Sequence, residues 1–174
     1  MTAHRIEALD ETKAADFHAV LGSRACSGAC LCTAHYHRDW ETRGREHRGA
    51  MFTRGEHDGF LLYVDDRPAG WCQCAPLERF RWGRDVEAPA GTVGVSCIVL
   101  RPELTGRGLC VAFLRGVLDS LRDAGSPAVV AMGHRPEAYD DPDAFLELPA
   151  YVCERVGLRL LRDDPVCPLF TTTW

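Results

Sequence analysis

Two stretches of the 174-residue chain carry residues whose type and spacing suit chemistry. In the first, an apolar run ends at Arg101-Pro102 and leads into Glu103-Leu104-Thr105-Gly106-Arg107-Gly108-Leu109-Cys110. Gly106 and Gly108 let the backbone turn sharply and come close to a ligand. A helix is expected immediately after them. Leu109, Phe113, Val117 and Leu121 recur every four residues, Leu114 and Leu118 widen the stripe, and Asp123-Ala124-Gly125 supplies a stop. The first N–H groups of such a helix lack partners and its dipole is positive there, so the spacing predicts a phosphate cradle. A dinucleotide site is disfavoured, because Val111 stands where a third small residue is needed and no acidic residue follows at the right distance. A P-loop is excluded by the missing Gly-Lys-Ser/Thr. The second stretch runs from Cys26 through Cys30 and Cys32 to His35 and His37. Its ligands are soft enough for zinc, but Cys-x2-Cys pairs are absent. The thiols of the Cys-x-Cys pairs, Cys72 and Cys74 among them, are expected to point apart and to pack against apolar neighbours. No metal is expected.

Composition narrows the function classes. Apolar residues make up 46% and charged residues 26%, values of a soluble globular protein, and the length suits one domain over residues 1–174. The net charge of -5 argues against nucleic acid or a membrane surface as the main partner, since both favour a basic face. No apolar run is long enough to span a membrane, and Met1 to Ile6 lack the apolar core of a signal peptide. A cytoplasmic location is therefore expected, with the nine cysteines reduced.

The elements that must position these residues follow from periodicity. Residues 4–9 alternate as a strand, and Asp10 and Thr12 precede a short helix over Ala14–Leu21. Residues 41–54 read as a second, mostly exposed helix anchored by Met51 and Phe52. Phe60–Val64 and Ala69–Cys74 flank Asp65-Asp66-Arg67-Pro68, a hairpin pattern. Residues 76–91 read as a loop and Thr92–Leu100 as a strand feeding the glycine turn. Beyond the cradle helix come a strand over 128–132, a polar loop, a short helix over 149–156 stopped by Gly157, and a terminal hairpin. The order β-α-α-β-β-β-α-β-α-β-β is that of an α+β, mixed α/β chain.

That order and the glycine turn resemble the GNAT superfamily of N-acyltransferases. Gly106, Arg107, Gly108 and Leu109 occupy the central places of its acyl-CoA signature, with Pro102 upstream. Thr105 stands where a basic or amide residue is usual, and Cys110 where glycine or alanine is usual. The likeness is nearest to bacterial members with a Cys-x-Cys segment before the second helix, a Gly-Trp-Cys such as Gly70-Trp71-Cys72 ending the hairpin, and a cysteine such as Cys97 in the central strand. It implies a twisted, mostly antiparallel sheet of about six to seven strands flanked by helices. It also implies acetyl-CoA, or another acyl-CoA, as co-substrate. The backbone of Ile98, Val99 and Leu100 would hold the pantetheine arm, and the N–H groups of Thr105 through Cys110 the pyrophosphate.

The chemistry implied is acyl transfer to the amine of a small molecule, by direct attack in a ternary complex. Bulkier acyl groups, a protein amine, and a non-catalytic CoA sensor stay open. Many GNAT enzymes place a proton-donating tyrosine four residues before the glycine that ends the late helix. Counting back from Gly157 reaches Cys153, while Tyr151 is turned about 200° around the helix. Cys153 is thus the candidate acid, and His134, past the strand over 128–132, the candidate base, with Glu103 or an ordered water as alternatives. Tyr36, Trp40, Trp71, Gln73 and Cys97 are the candidate acceptor-binding residues. A monomer or a homodimer fits equally.

Overall fold

The computed structural model describes residues 4–22, 31–135, 137 and 148–174. In chain order its strands and helices are β1 (His4–Ala8), α1 (Ala14–Leu21), α2 (Trp40–Thr53), β2 (Phe60–Val64) and β3 (Arg67–Pro76). There follow β4 (Val93–Leu100), α3 (Leu109–Asp123), β5 (Val129–Met132), α4 (Ala150–Arg155), β6 (Arg159–Arg162) and β7 (Leu169–Thr171). One seven-stranded sheet takes all the strands, in the order β1-β2-β3-β4-β5-β7-β6. Every pairing is antiparallel except β4 with β5. No helix among the described residues is long and apolar enough to cross a membrane.

The predicted elements form close to their expected limits. The first hairpin turns tighter than its sequence suggests. Asp65 and Asp66 both adopt left-handed φ, 48° and 61°, so β3 begins at Arg67 instead of Ala69. Aspartate tolerates that region, and a two-residue turn of this hand matches the strand twist.

The two faces of the sheet are covered differently. On one, α3 lays Phe113, Leu114, Val117, Leu118 and Leu121 against Cys72, Ile98 and Leu100, with α4 closing the end through Val152 and Cys153. Burying each large apolar side chain there is worth about 1.5–3 kcal/mol. On the other face α1 packs Phe17, Val20 and Leu21 against Leu61, Trp71, Cys97 and Val99. The adjoining helix α2 differs from its expected form. Its buried residues are Gly44, Arg48 and Met51, so an arginine occupies the middle of the inward stripe.

Candidate functional site

Two breaks in the central strands shape the site. β4 pairs with β5 only over Val93–Val95 against Val129–Ala131. Beyond that, β4 continues to Leu100 and β5 to Met132 with no further pairing between them. The sheet therefore opens at its middle. A register shift between Gln73 and Cys74 against Cys97 and Val95 leaves Ser96 as an extra residue in β4 at the same level. Such a bulge bends the strand and re-aims its side chains.

At the far end of β4 the chain makes a short 3-10 turn, Pro102–Leu104, and then the glycine turn. Gly106 and Gly108 both have φ of +73°, and a Cβ on either would meet nothing within 4 Å. The left-handed geometry calls for glycine, and the space above it is open. Thr105 faces back into its own turn, donating from its N–H at 3.2 Å and its hydroxyl at 2.7 Å to the Pro102 carbonyl. The donors offered by the cradle thus begin at Gly106 and not at Thr105. Those of Gly106, Arg107, Gly108 and Leu109 have no acceptor among the described residues. Arg101 adds a cation that sequence reasoning passed over. Its Nε is buried at the end of β4 without a partner among the described residues.

On the α1/α2 face, below the bulge, lies a buried polar network. Arg48 pairs with Asp58, and both are at most 2% exposed. The Arg48 guanidinium also donates from Nε and Nη2 to the Leu31 carbonyl, at 3.1 and 3.0 Å. Asp58 accepts from the Tyr36 hydroxyl at 2.6 Å and from Gln73 Nε2 at 3.1 Å. Gln73 Nε2 donates as well to the Cys32 carbonyl at 2.8 Å, and its Oε1 accepts from Ser96 Oγ at 2.8 Å. Burial and the adjacent Asp58 carboxylate push the Tyr36 hydroxyl far above its ordinary pKa, so it stays a donor. Leu31 and Cys32 have left-handed φ of 39° and 52°, a conformation costing about 1–2 kcal/mol each. The bonds from Arg48 and Gln73 offset that strain and fix the segment.

The segment so fixed forms one wall of a cavity of about 620 Å³. His35, Tyr36 and Arg38 come from this wall, Arg81, Trp82, Arg84 and Asp85 from the stretch after β3, and Met132 from the end of β5. The two walls are tied by the Arg81 N–H, which donates to the His35 carbonyl at 2.9 Å. Phe80 joins them below, 5.0 Å from the rings of both Tyr36 and Trp82. Met132 is the residue after the last β4–β5 pair, so the cavity opens beside the parting of the strands.

Neither a family model nor a curated protein matches this sequence. Solved structures do match the fold. The PaiA N-acetyltransferase of Thermoplasma acidophilum, in complex with coenzyme A, is 10% identical, with 99% of each chain covered and a TM-score of 0.57. A GNAT family acetyltransferase from Brucella melitensis, in complex with acetyl-CoA, is 16% identical over 99% of this chain and 88% of its own, again at 0.57. An acetyltransferase from Thermus thermophilus is 18% identical over 98% and 96%, at 0.54. The fold is that of the GNAT acetyltransferases. At these identities the likeness is one of architecture.

Within this GNAT fold the candidate residues separate. Ile98, Val99 and Leu100 lie on the part of β4 beyond its pairing with β5, and Gly106 to Leu109 in the cradle. Cys110 is half-buried at the first turn of α3, packed on the core. His134 lies just past β5, 4% exposed, with Nδ1 3.6 Å from Cys167 Sγ and its ring 6.5 Å from that of His35. That puts it next to the opening. Tyr36 lines the cavity.

Others are corrected. Trp71, Gln73 and Cys97 are at most 3% exposed and form the layer behind Tyr36 instead of the lining. Trp71 gives its indole N–H to the Asp58 carbonyl at 3.1 Å, and Cys97 Sγ lies 3.5 Å from that of Cys32. Inward-pointing side chains of a central strand are roofed here by α1 and the 31–39 segment, which spacing alone does not reveal. Trp40 begins α2 and is not among the lining residues. Cys153 is fully buried in the α3-face core, and burial, reinforced by Cys72, pushes its thiol far above the ordinary value. A proton held that tightly on a fully buried thiol suits packing and not proton donation. Tyr151 is 49% exposed under Arg155, turned away as its position on the helix predicts.

The cysteine reading also changes. Cys72 and Cys74 do not point apart. Residues two apart on a strand share a face, and their sulfurs lie 3.8 Å from each other. Cys26 and Cys30 lie outside the described residues. A different group, His37, Asp39 and His47, brings its ligand atoms within 4.8 Å of one another, with the two imidazoles stacked at 3.8 Å.

Proposed function

We propose that this chain is an acyl-CoA-dependent N-acyltransferase that places an acetyl group on the amine of a small molecule. One observation carries the reading: a continuous track runs from the point where β4 leaves β5, along Ile98–Leu100, to the glycine turn and the start of α3. The co-substrate would supply a thioester whose carbonyl carbon bonds to the amine nitrogen as its C–S bond breaks, the amine losing one proton and the sulfur gaining one. The chain's residues bind and orient. The edge of β4 beyond Val95 offers backbone groups to an extended, amide-bearing arm, as it would to a further strand. The N–H groups of Gly106 to Leu109 and the positive end of α3 suit a pyrophosphate, with about 1–2 kcal/mol from the helix dipole. Arg107, within the glycine turn, would add a cation at its rim. His134, just past β5, would take the amine proton, directly or through a water.

Titration calorimetry with acetyl-CoA tests this, with a longer acyl-CoA and NADH as comparisons. Micromolar binding of acetyl-CoA, lost in a folded Gly108→Trp variant, is expected. A tighter longer ester would shift the reading to a bulkier acyl group. Failure of every CoA ester to bind would overturn it. A second reading, CoA binding without turnover, is favoured by the burial of Cys153, which leaves α4 without the proton donor its position implied. Binding with no acetylation across a broad amine panel would support that one.

A further inference from the structure

We propose that the acceptor carries an anion, a carboxylate or a phosphate, beside its amine, and that the cavity between residues 34–38 and 81–85 holds that anion; this rests on the acyltransferase reading above. The protein is acidic overall, with 25 Asp and Glu against 20 Lys and Arg. The cavity reverses that balance. Among the described residues, Arg38, Arg81 and Arg84 line it with a single carboxylate, Asp85. None of the three guanidiniums takes part in an ion pair among the described residues, and the three meet at one cavity. Their protein contacts, where present, are to backbone: Arg81 Nη1 reaches the Ala34 carbonyl at 3.4 Å.

A second observation comes from the aromatic side of the cavity. Trp82 lines it too, and its buried indole N–H has no acceptor among the described residues. An unsatisfied buried donor costs free energy that an anionic ligand oxygen would recover. Cationic forks and an N–H without an acceptor among the described residues, beside the apolar Met132, describe a site for a small molecule with one charged, acceptor-rich end. The opening beside Met132 puts its other end where β4 and β5 part. An amino acid or an aminoalkyl phosphate meets both demands. A polyamine or an aminoglycoside fails the first, since its extra ammonium groups would face three arginines.

The test uses the full chain and pairs of amines differing only at the anion: an α-amino acid against its amide, and an aminoalkyl phosphate against the corresponding amino alcohol. Each anionic member is expected to have kcat/KM at least about tenfold above its neutral partner, and the better pair tells carboxylate from phosphate. Arg38→Ala and Arg84→Ala, both exposed and so safe for folding, should each raise KM for the anionic amine with kcat retained. Arg84→Glu should erase the preference. Equal or better turnover of neutral or cationic amines would overturn the proposal while leaving acyl transfer intact. Should acetyl-CoA fail to bind, the acyltransferase reading falls by itself. Inorganic phosphate then serves as the probe of the cavity: quenching or enhancement of tryptophan emission that is lost in Trp82→Phe and Arg84→Glu supports the anion site, and no response overturns it.

Discussion

The two faces of the sheet are built on opposite principles. Under α3 the core is apolar: leucines, valines, phenylalanines and cysteines fill it, and among the described residues no charged side chain is buried with them. Under α2 the centre is a charged pair, Arg48 with Asp58, which also takes the Tyr36 hydroxyl and is linked through Gln73 to Ser96 in the bulge of β4. The first arrangement holds by area removed from water and tolerates repacking. The second holds only while every polar group keeps its partner. The difference teaches where the candidate site's precision resides. The apolar face supports the cradle helix, and the polar face sets the wall that carries His35, Tyr36 and Arg38.

Substituting one residue type on both faces breaks the symmetry most sharply. Arg48→Met strands the Asp58 carboxylate in the interior and should cost about 3–5 kcal/mol by urea unfolding. Leu114→Met, on the face under α3, should cost less than about 1.5 kcal/mol. Equal losses would mean that the polar network is no more demanding than the apolar core. A smaller effect is expected at the join between the faces. A Cβ on Gly70 would meet Leu100 Cδ2 at 2.6 Å and the Val99 carbonyl at 2.8 Å, so Gly70→Ala should cost about 1–3 kcal/mol and disturb β4. Cys153→Ala removes a small buried thiol. It should lower stability by about 1 kcal/mol and leave acetyl-CoA affinity within about twofold, whereas a proton donor's removal would also suppress turnover.

The smallest effect is on pH. Burial and then His47 lower the pKa of His37, and burial and then Arg48 lower that of His18. Both histidines belong to the α1/α2 side. Below about pH 6.5 the unfolded chain binds these protons more readily than the folded one, so stability falls as pH falls through that value. Asp10, held at about 2 by its hydrogen bonds to Lys13 and Thr12, stays ionised throughout and adds no slope there. Thermal unfolding between pH 7.5 and 5.5 should show the decline, and His37→Gln should flatten it. An unchanged slope would remove His37 from the account.

Much of the architecture was legible because period and punctuation are local signals. The stripe Leu109–Leu121, the Asp65-Asp66 turn and the glycines before α3 each declare themselves within a few residues. The polar face was not legible. Residues 31–39 have no period, and Arg48 in a charged helix reads as solvated, because its partners are the carbonyls of Leu31 and Cys32 and a carboxylate ten positions away. Trp71 and Gln73 were recognisable as special but not as covered, since which side chains roof a strand depends on elements distant in sequence.

By itself the sequence determined the element order, the left-handed glycine turn and the amphipathic cradle helix, because each depends on backbone sterics and on spacing along one segment. Only the tertiary structure decided that β4 and β5 part after three residue pairs, that Asp58 gathers Arg48, Tyr36 and Gln73, and that three arginines outside any ion pair among the described residues meet at one cavity. Those are contacts between remote segments, and their free energies exist only once the chain has brought the segments together.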